Sequence, residues 1–296
     1  MKKYRKILGL FRNPAVRREL ESLDPVKDHQ RMVHLGLCYE FPFDMVRANE
    51  LALFATYASV SISGLLDRTG EFSKHGQKRY DDTRFLITKF AEDGYDGVFG
   101  SRAIAQMNKI HGNFRIPNED YIFVLSTLIF YPIDWMEKYG WRKMSEPEKQ
   151  ALFLFYREVG QRMGMTDLPA TLPELRVFVE KYESKHLVFA PSNRHIADAT
   201  INIFKDWFPR FLRPIIEPAV VALIDEKLRI AFGFSKPSKA MVWTLKAALL
   251  FRKYWLRWIP VTFMPYPNLT DTTRFPTYHP EKIAVENIKP SYLKAG

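Results

Sequence analysis

Chemistry in this chain falls first to Arg79, Thr83 and His111. Arg79 and Thr83, within Lys78-Arg79-Tyr80-Asp81-Asp82-Thr83, are four residues apart and share one face of a helix. A guanidinium with a hydroxyl one turn on can bind a carboxylate or orient a bound oxygen species. The same spacing also suits an exposed helix start in which Asp81 and Asp82 pair with Lys78 or Arg84. His111 follows Ile104 by seven residues and Met107 by four, so a helix over 101–111 points it inward with the apolar face. A buried neutral imidazole suits a metal or a haem iron, and it equally suits a hydrogen-bonded core histidine.

The other candidates are weaker. Glu183-Ser184-Lys185-His186 has the E-x-x-H spacing of di-iron bundles. Those sites need two such motifs and two further glutamates, so a structural His186 is the better reading. His29, His34, His75, His195 and His279 stand among charged or loop neighbours. No G-x-S-x-G elbow, H-E-x-x-H, P-loop, G-x-G-x-x-G or C-x-x-C-H occurs. Cys38 is the one cysteine, which rules out a disulfide scaffold or a cysteine-built zinc or iron–sulfur site and fits a reducing compartment. Asn268-Leu269-Thr270 matches a glycosylation sequon, expected to go unused because no signal peptide is recognised.

The elements that must hold these residues read as helices. Ser145-Glu146-Pro147-Glu148 and Thr171-Leu172-Pro173-Glu174 have capping-box spacing, and Asp24-Pro25 reads as an N-cap followed by proline in the first helical position. Gly94, Gly112, Gly140, Gly164 and Gly233 each follow an amphipathic run, where a left-handed glycine ends a helix. About ten helices and an irregular, proline-containing tail after Ile259 are expected, with strand alternation scarce. The uncharged runs 51–66 and 121–133 read as buried helix and 258–270 as tail, so no transmembrane helix is expected. The 296 residues, 47% hydrophobic and 26% charged, are ample for one large core and exclude disordered and collagen-like classes. The expectation is an all-α chain with a basic amphipathic segment at 1–23, a single helical domain at 24–234, and a basic helix and tail at 235–296.

The formal charge of +11 is unevenly placed. Seven bases and no acid lie between Lys2 and Arg18, and eight bases and no acid between Lys227 and Thr270. Elsewhere 33 acids outnumber 29 bases. Lys239, Lys246 and Lys253, seven apart, make one stripe of a helix otherwise rich in tryptophan and aliphatic residues. That pattern suits a surface helix packed on the core, and it suits peripheral contact with an anionic membrane through 1–18 and 239–258. Nucleic acid ranks last as a partner, because its binders more often carry charge on the folded body.

Several of these runs together resemble one oxygenase superfamily: KRYDDT, MNKIHG after a helix-length interval, NEDYIFVLST, Gly140-Trp141-Arg142 and FYREVGQRMG. It contains the ER-bound oxygenases of the MpaB type and the latex-clearing rubber oxygenases, and the likeness spans roughly 24–234. The resemblance implies a globin-like, all-α fold. From the rubber-oxygenase branch it implies haem b, with His111 as proximal ligand, Arg79 and Thr83 on the distal side, and dioxygen as co-substrate for cleaving an alkene. Where those enzymes have a lysine before the threonine, Asp82 stands here and cannot supply a neutral amine ligand. Their catalytic carboxylate precedes the arginine, yet 51–66 holds no acid, so a lipophilic alkene smaller than rubber, or another haem-dependent oxidation, is expected. The expected location is cytoplasmic and peripheral to a membrane. A haem-binding sensor or carrier without turnover and a metal-free membrane-associated scaffold are the alternatives.

Overall fold

A helix that is apolar on every side must be surrounded, and residues 121–133 form the heart of such a helix, α7 (Asn118–Lys138). Two polar residues inside it, Ser126 and Thr127, donate their hydroxyls to carbonyls of the same helix at 2.6 and 2.7 Å. This satisfies them without an outside partner. The computed structural model describes residues 4–261, 277–278 and 284–291. Among the described residues there are thirteen α-helices and no strand, only isolated β-bridges.

Around α7 pack α3 (Pro42–Thr56) and α8 (Glu146–Arg162), with α2 (His29–Leu35) lying on α8. Leu35, Phe41, Ala48, Phe123, Ile129, Met136, Leu152 and Phe155 form the fully buried centre of this body. A second cluster, with Phe54, Ile201 and Phe232 inside it, joins α3 to α10 (Pro191–Asp206) and α12 (Glu226–Phe232). The capping box at Ser145 is complete: its hydroxyl accepts from the Glu148 amide at 3.4 Å, and Glu148 accepts from the Ser145 amide at 2.7 Å. At α9 (Leu172–His186) Thr171 caps Glu174, but the returning carboxylate takes the amide of Ala170 instead.

Several sequence expectations need correction. Asp24 does not open a helix: its carboxylate accepts from the amides of Val26 and Lys27, closing a single turn, and α2 starts at His29. The run 51–66 is not one helix, because the chain turns between Thr56 and Val60 before α4 (Val60–Thr69). Such breaks raise the helix number from about ten to thirteen. Gly94, Gly164 and Gly233 take the left-handed φ expected of them; Gly112 and Gly140 do not. Beyond Ile259 the described residues hold only a 3-10 turn, Val285–Asn287. His279, the 268–270 sequon, Lys2, Lys3 and the remaining tail lie outside the described residues.

The two basic segments meet. Arg12 donates its amide to the Pro260 carbonyl at 2.8 Å and its guanidinium to the Leu256 carbonyl at 2.6 Å, at the end of α13 (Lys239–Trp258). The inner side of α13 is tied down by Arg252, which bridges both oxygens of buried Asp44 at 2.8 and 3.2 Å. Its outer side carries Trp243, Leu250, Tyr254 and Trp258 at intervals of seven, four and four, all exposed. Lys239, Lys246 and Arg257 border that stripe on one edge.

Burial also sets a pH limit. His34 on α2 donates Nδ1–H to the Glu92 carbonyl at 2.6 Å, and burial pushes its pKa down to about 4 against that bond. Below about 6.5 the unfolded chain takes up a proton here that the folded chain refuses until about pH 4. Stability from this group is therefore complete above about 6.5 and lost as pH falls toward 4. Urea unfolding across that window should lose about 3 kcal/mol on account of His34. His34→Gln, which can still donate to Glu92, should show a correspondingly shallower decline; an unchanged decline refutes the assignment.

Candidate active-site cavity

The long helix α5 (Glu71–Asp93) and the next, α6 (Val98–His111), are joined by a tight corner. A Cβ on Gly100 would stand 1.8 Å from the Gly94 carbonyl oxygen, so the two backbones touch there. Gly94 itself has φ +84°. Asp93 completes the corner by accepting from the amides of Phe99 and Gly100 at 2.8 and 3.2 Å, which caps α6. With its start fixed this way, α6 packs along α5 and carries His111 to the cavity that Arg79 and Thr83 line.

That cavity has a volume of about 210 Å³ and lies among α3 to α8. Leu53, Ile62, Leu86, Phe90, Met107 and Val124 are among its apolar walls. Residues from both uncharged runs, 51–66 and 121–133, face it. Arg79, Thr83 and His111 all line it, so the structure brings together the three residues singled out in the sequence.

His111 sits against Tyr121, ring centres 5.4 Å apart. Its Nδ1 is buried and has no hydrogen-bond partner among the described residues. Burial, assisted by the charge of Arg79, pushes its pKa down to about 4. The imidazole is therefore neutral at physiological pH, with a nitrogen that the protein leaves uncommitted. The core-histidine reading predicts a satisfied ring, and this atom is not satisfied.

Arg79 donates Nη1–H to Thr83 Oγ1, and Thr83 returns its own hydroxyl hydrogen to the Arg79 carbonyl at 3.0 Å. The threonine hydroxyl is thus engaged within the helix, and it holds the guanidinium in place. Among the described residues no carboxylate pairs with Arg79, whose nearest aromatic face is Phe72 at 5.8 Å. The Lys78–Asp82 pair foreseen for this segment forms at 2.7 Å, but it lies within α5 with Asp82 buried, not at an exposed helix start. Tyr278 also donates to Asp82. Burial pushes the Asp82 carboxyl up, while Lys78 and Tyr278 pull it down.

Among the lining residues that the sequence did not single out are Glu71, Asp120 and Pro290. Glu71 is a buried acid eight positions before Arg79, just beyond the acid-free run. Asp120 accepts from Ser61 and Tyr182, both at 2.5 Å, in the first turn of α7. A carboxylate opening an otherwise apolar helix was the available signal for Asp120. Pro290 comes from the far end of the chain and had none. His186 stays outside: it stacks on Tyr182 with ring centres 4.4 Å apart and lies 3.3 Å from Glu119. His29, His34, His75 and His195 do not line the cavity either. Among the described residues no three His, Cys, Asp or Glu side chains could hold a bare metal ion. A single uncommitted imidazole in an apolar cavity fits an iron held in a macrocycle, which needs one such protein ligand.

Comparison with known proteins places this chain in a family. The family model described as ER-bound oxygenase mpaB/B'/Rubber oxygenase, catalytic domain, matches residues 54–259. The chain is 29% identical over 238 residues to the ER-bound oxygenase mpaB' of Penicillium brevicompactum, covering 74% of this chain and 56% of that protein. It is 29% identical over 210 residues to the ER-bound oxygenase mpaB of Penicillium roqueforti, covering 65% and 70%. To mpaB of Penicillium brevicompactum it is 31% identical over 177 residues, covering 54% and 45%. The chain thus spans little more than half the length of the first of these relatives.

The geometry predicts how the imidazole titrates. In cofactor-free Arg79→Ala the repelling charge is gone, so the His111 pKa should rise above about 4 while burial still keeps it below 6.5. An NMR titration of the ring protons checks this; an unmoved or lowered value contradicts the proximity of the two groups.

Proposed function

The chain belongs to the ER-bound oxygenase mpaB/rubber oxygenase catalytic-domain family, and we propose that it is a haem-b-dependent oxygenase that uses dioxygen on a lipophilic, isoprenoid-like alkene. The observation that carries this reading is the buried Nδ1 of His111, unpartnered among the described residues, on a side chain that lines the same cavity as Arg79. Bound there, haem b would supply the iron that activates dioxygen toward a carbon–carbon double bond. His111, neutral down to about pH 4, keeps an imidazole lone pair available as the proximal ligand. Arg79 sets a positive charge in a cavity of low polarity, where it stabilises negative charge developing on a reacting oxygen species. Thr83 is a positioning residue that keeps this guanidinium from swinging away. The apolar walls exclude water and solvate the alkene. Asp82, already bonded to Lys78 and Tyr278, has no neutral amine that it could offer a haem iron.

Peripheral membrane contact belongs to the same reading, because a lipophilic substrate dissolves in a bilayer. Among the described residues no helix is long and apolar enough to cross a membrane. Its support is the outer face of α13, an aromatic stripe with a cationic edge, continued at the N-terminal segment by exposed Leu8 and Leu10. This is the pattern of a helix lying in a membrane interface.

Two measurements test the proposal. Purified with haem supplied, the protein should show a Soret band and iron that His111→Ala largely loses; a variant that keeps both in full sinks the ligand assignment. Haem-loaded Arg79→Ala should keep its haem but consume dioxygen with alkenes at least about tenfold more slowly. A full spectrum without any dioxygen uptake instead marks a carrier. Separately, the protein should sediment with phosphatidylcholine vesicles that contain phosphatidylserine, lose that binding as salt rises, and lose most of it in Trp243→Ser/Trp258→Ser. Equal binding by the variant dismisses the α13 face.

A further inference from the structure

One wall of the cavity comes from outside the segment that the oxygenase family model covers. Residues 284–291 lie beyond position 259, where the family match ends, yet Pro290 lines the cavity. This short strap is built into the molecule at both ends. Val285 and Ile288 are buried in the main core. On the α6 side, Arg102 donates Nε–H to Glu286 at 2.6 Å, and Gln106 donates to the Ile288 carbonyl at 2.5 Å. On the α5 side, Lys78 donates to the Lys289 carbonyl at 2.6 Å, and the Ser291 amide donates to Glu71 at 3.2 Å. Just upstream, Thr277 donates its hydroxyl to buried Asp81 at 2.7 Å and its amide to the same oxygen at 3.1 Å.

The strap therefore crosses from the helix that carries His111 to the helix that carries Arg79 and Thr83. Its bonds to α5 come from Lys78 and Glu71, on either side of the kink at His75. Between those bonds the proline ring faces the cavity. Proline has no amide hydrogen to satisfy and few conformations, so it can present an apolar wall without leaving an unpaired donor behind.

We propose that residues 284–291 are the specificity-determining wall of this cavity, and that Pro290 limits the length of the lipophilic ligand admitted. The inference rests on the reading that the cavity holds an apolar ligand. Helices α3 to α8 form the remaining walls and lie largely within the family match, so the strap is where this chain sets its own limit. Removing the proline ring lengthens the space by a few methylenes, and a larger side chain there shortens it. Each methylene of fit changes binding by about fourfold.

The linear prenols geraniol, farnesol and geranylgeraniol are the probes, competing with Nile red for the full-length protein. Wild type should show a cutoff in this series. Pro290→Gly should move the cutoff to the next longer prenol, raising its relative affinity about fivefold or more while leaving the shorter ones unchanged. Pro290→Trp should move it the other way. Arg102→Ala/Gln106→Ala, which releases the strap from α6 without touching the cavity, should blur the cutoff, and so provides a measure that does not depend on how either Pro290 variant folds. Identical relative affinities in wild type and all folded variants overturn the strap proposal while leaving the apolar-ligand reading intact. No prenol or dye binding by any of them overturns both.

Discussion

The start of α6 can touch the backbone at the end of α5 because Gly100 carries no side chain, and the site hangs on that contact. Asp93 then fixes the first amides of α6, so both the position and the start of the helix are set. Only with that corner closed does His111, at the far end of α6, share a cavity with Arg79 and Thr83 near the middle of α5. The Coulombic influence of Arg79 on His111 is the electrostatic trace of the same arrangement. A backbone contact with no chemistry of its own thereby decides where the chemistry can be.

The uneven charge of the chain acquires a physical meaning in three dimensions. Many acids of the slightly acidic body point inward and act as clamps between segments distant in sequence. Asp44 holds Arg252 of α13, Asp81 holds Thr277, and Glu40 and Glu148 share Arg142. Buried carboxylates are tolerable only with such partners, and removing one partner costs far more than the pair contributes. Asp120 obeys the same rule without a cation, by accepting from Ser61 and Tyr182. The bases left over collect at the N-terminal segment and on α13, and a polar edge beside exposed aromatic rings results there.

Helix existence was legible because periodicity and caps are local; the capping box at Ser145 reads directly from four residues. Helix starts and breaks were less so. Asp24 uses a capping carboxylate to close one turn, and the turn after Thr56 lies inside an uninterrupted apolar run. The pairing of Arg79 with Thr83 was visible as a spacing, but its direction was not: the hydroxyl is consumed within the helix and steadies the guanidinium. Whether His111 was core or site depended on a partner for Nδ1, which is a property of every surrounding helix at once. Glu71 and Pro290 escaped notice because they reach the cavity through tertiary contact, and Pro290 does so from nearly two hundred residues after Met107.

The order of the wall residues along the chain also has a consequence in time. Synthesis runs from the N-terminus, and Pro290 leaves the ribosome after every other residue that lines the cavity, the next latest being Met165. The helical walls can therefore assemble around an opening that has no strap across it. The cavity closes on this side only when Lys78 and Gln106 find the carbonyls of Lys289 and Ile288.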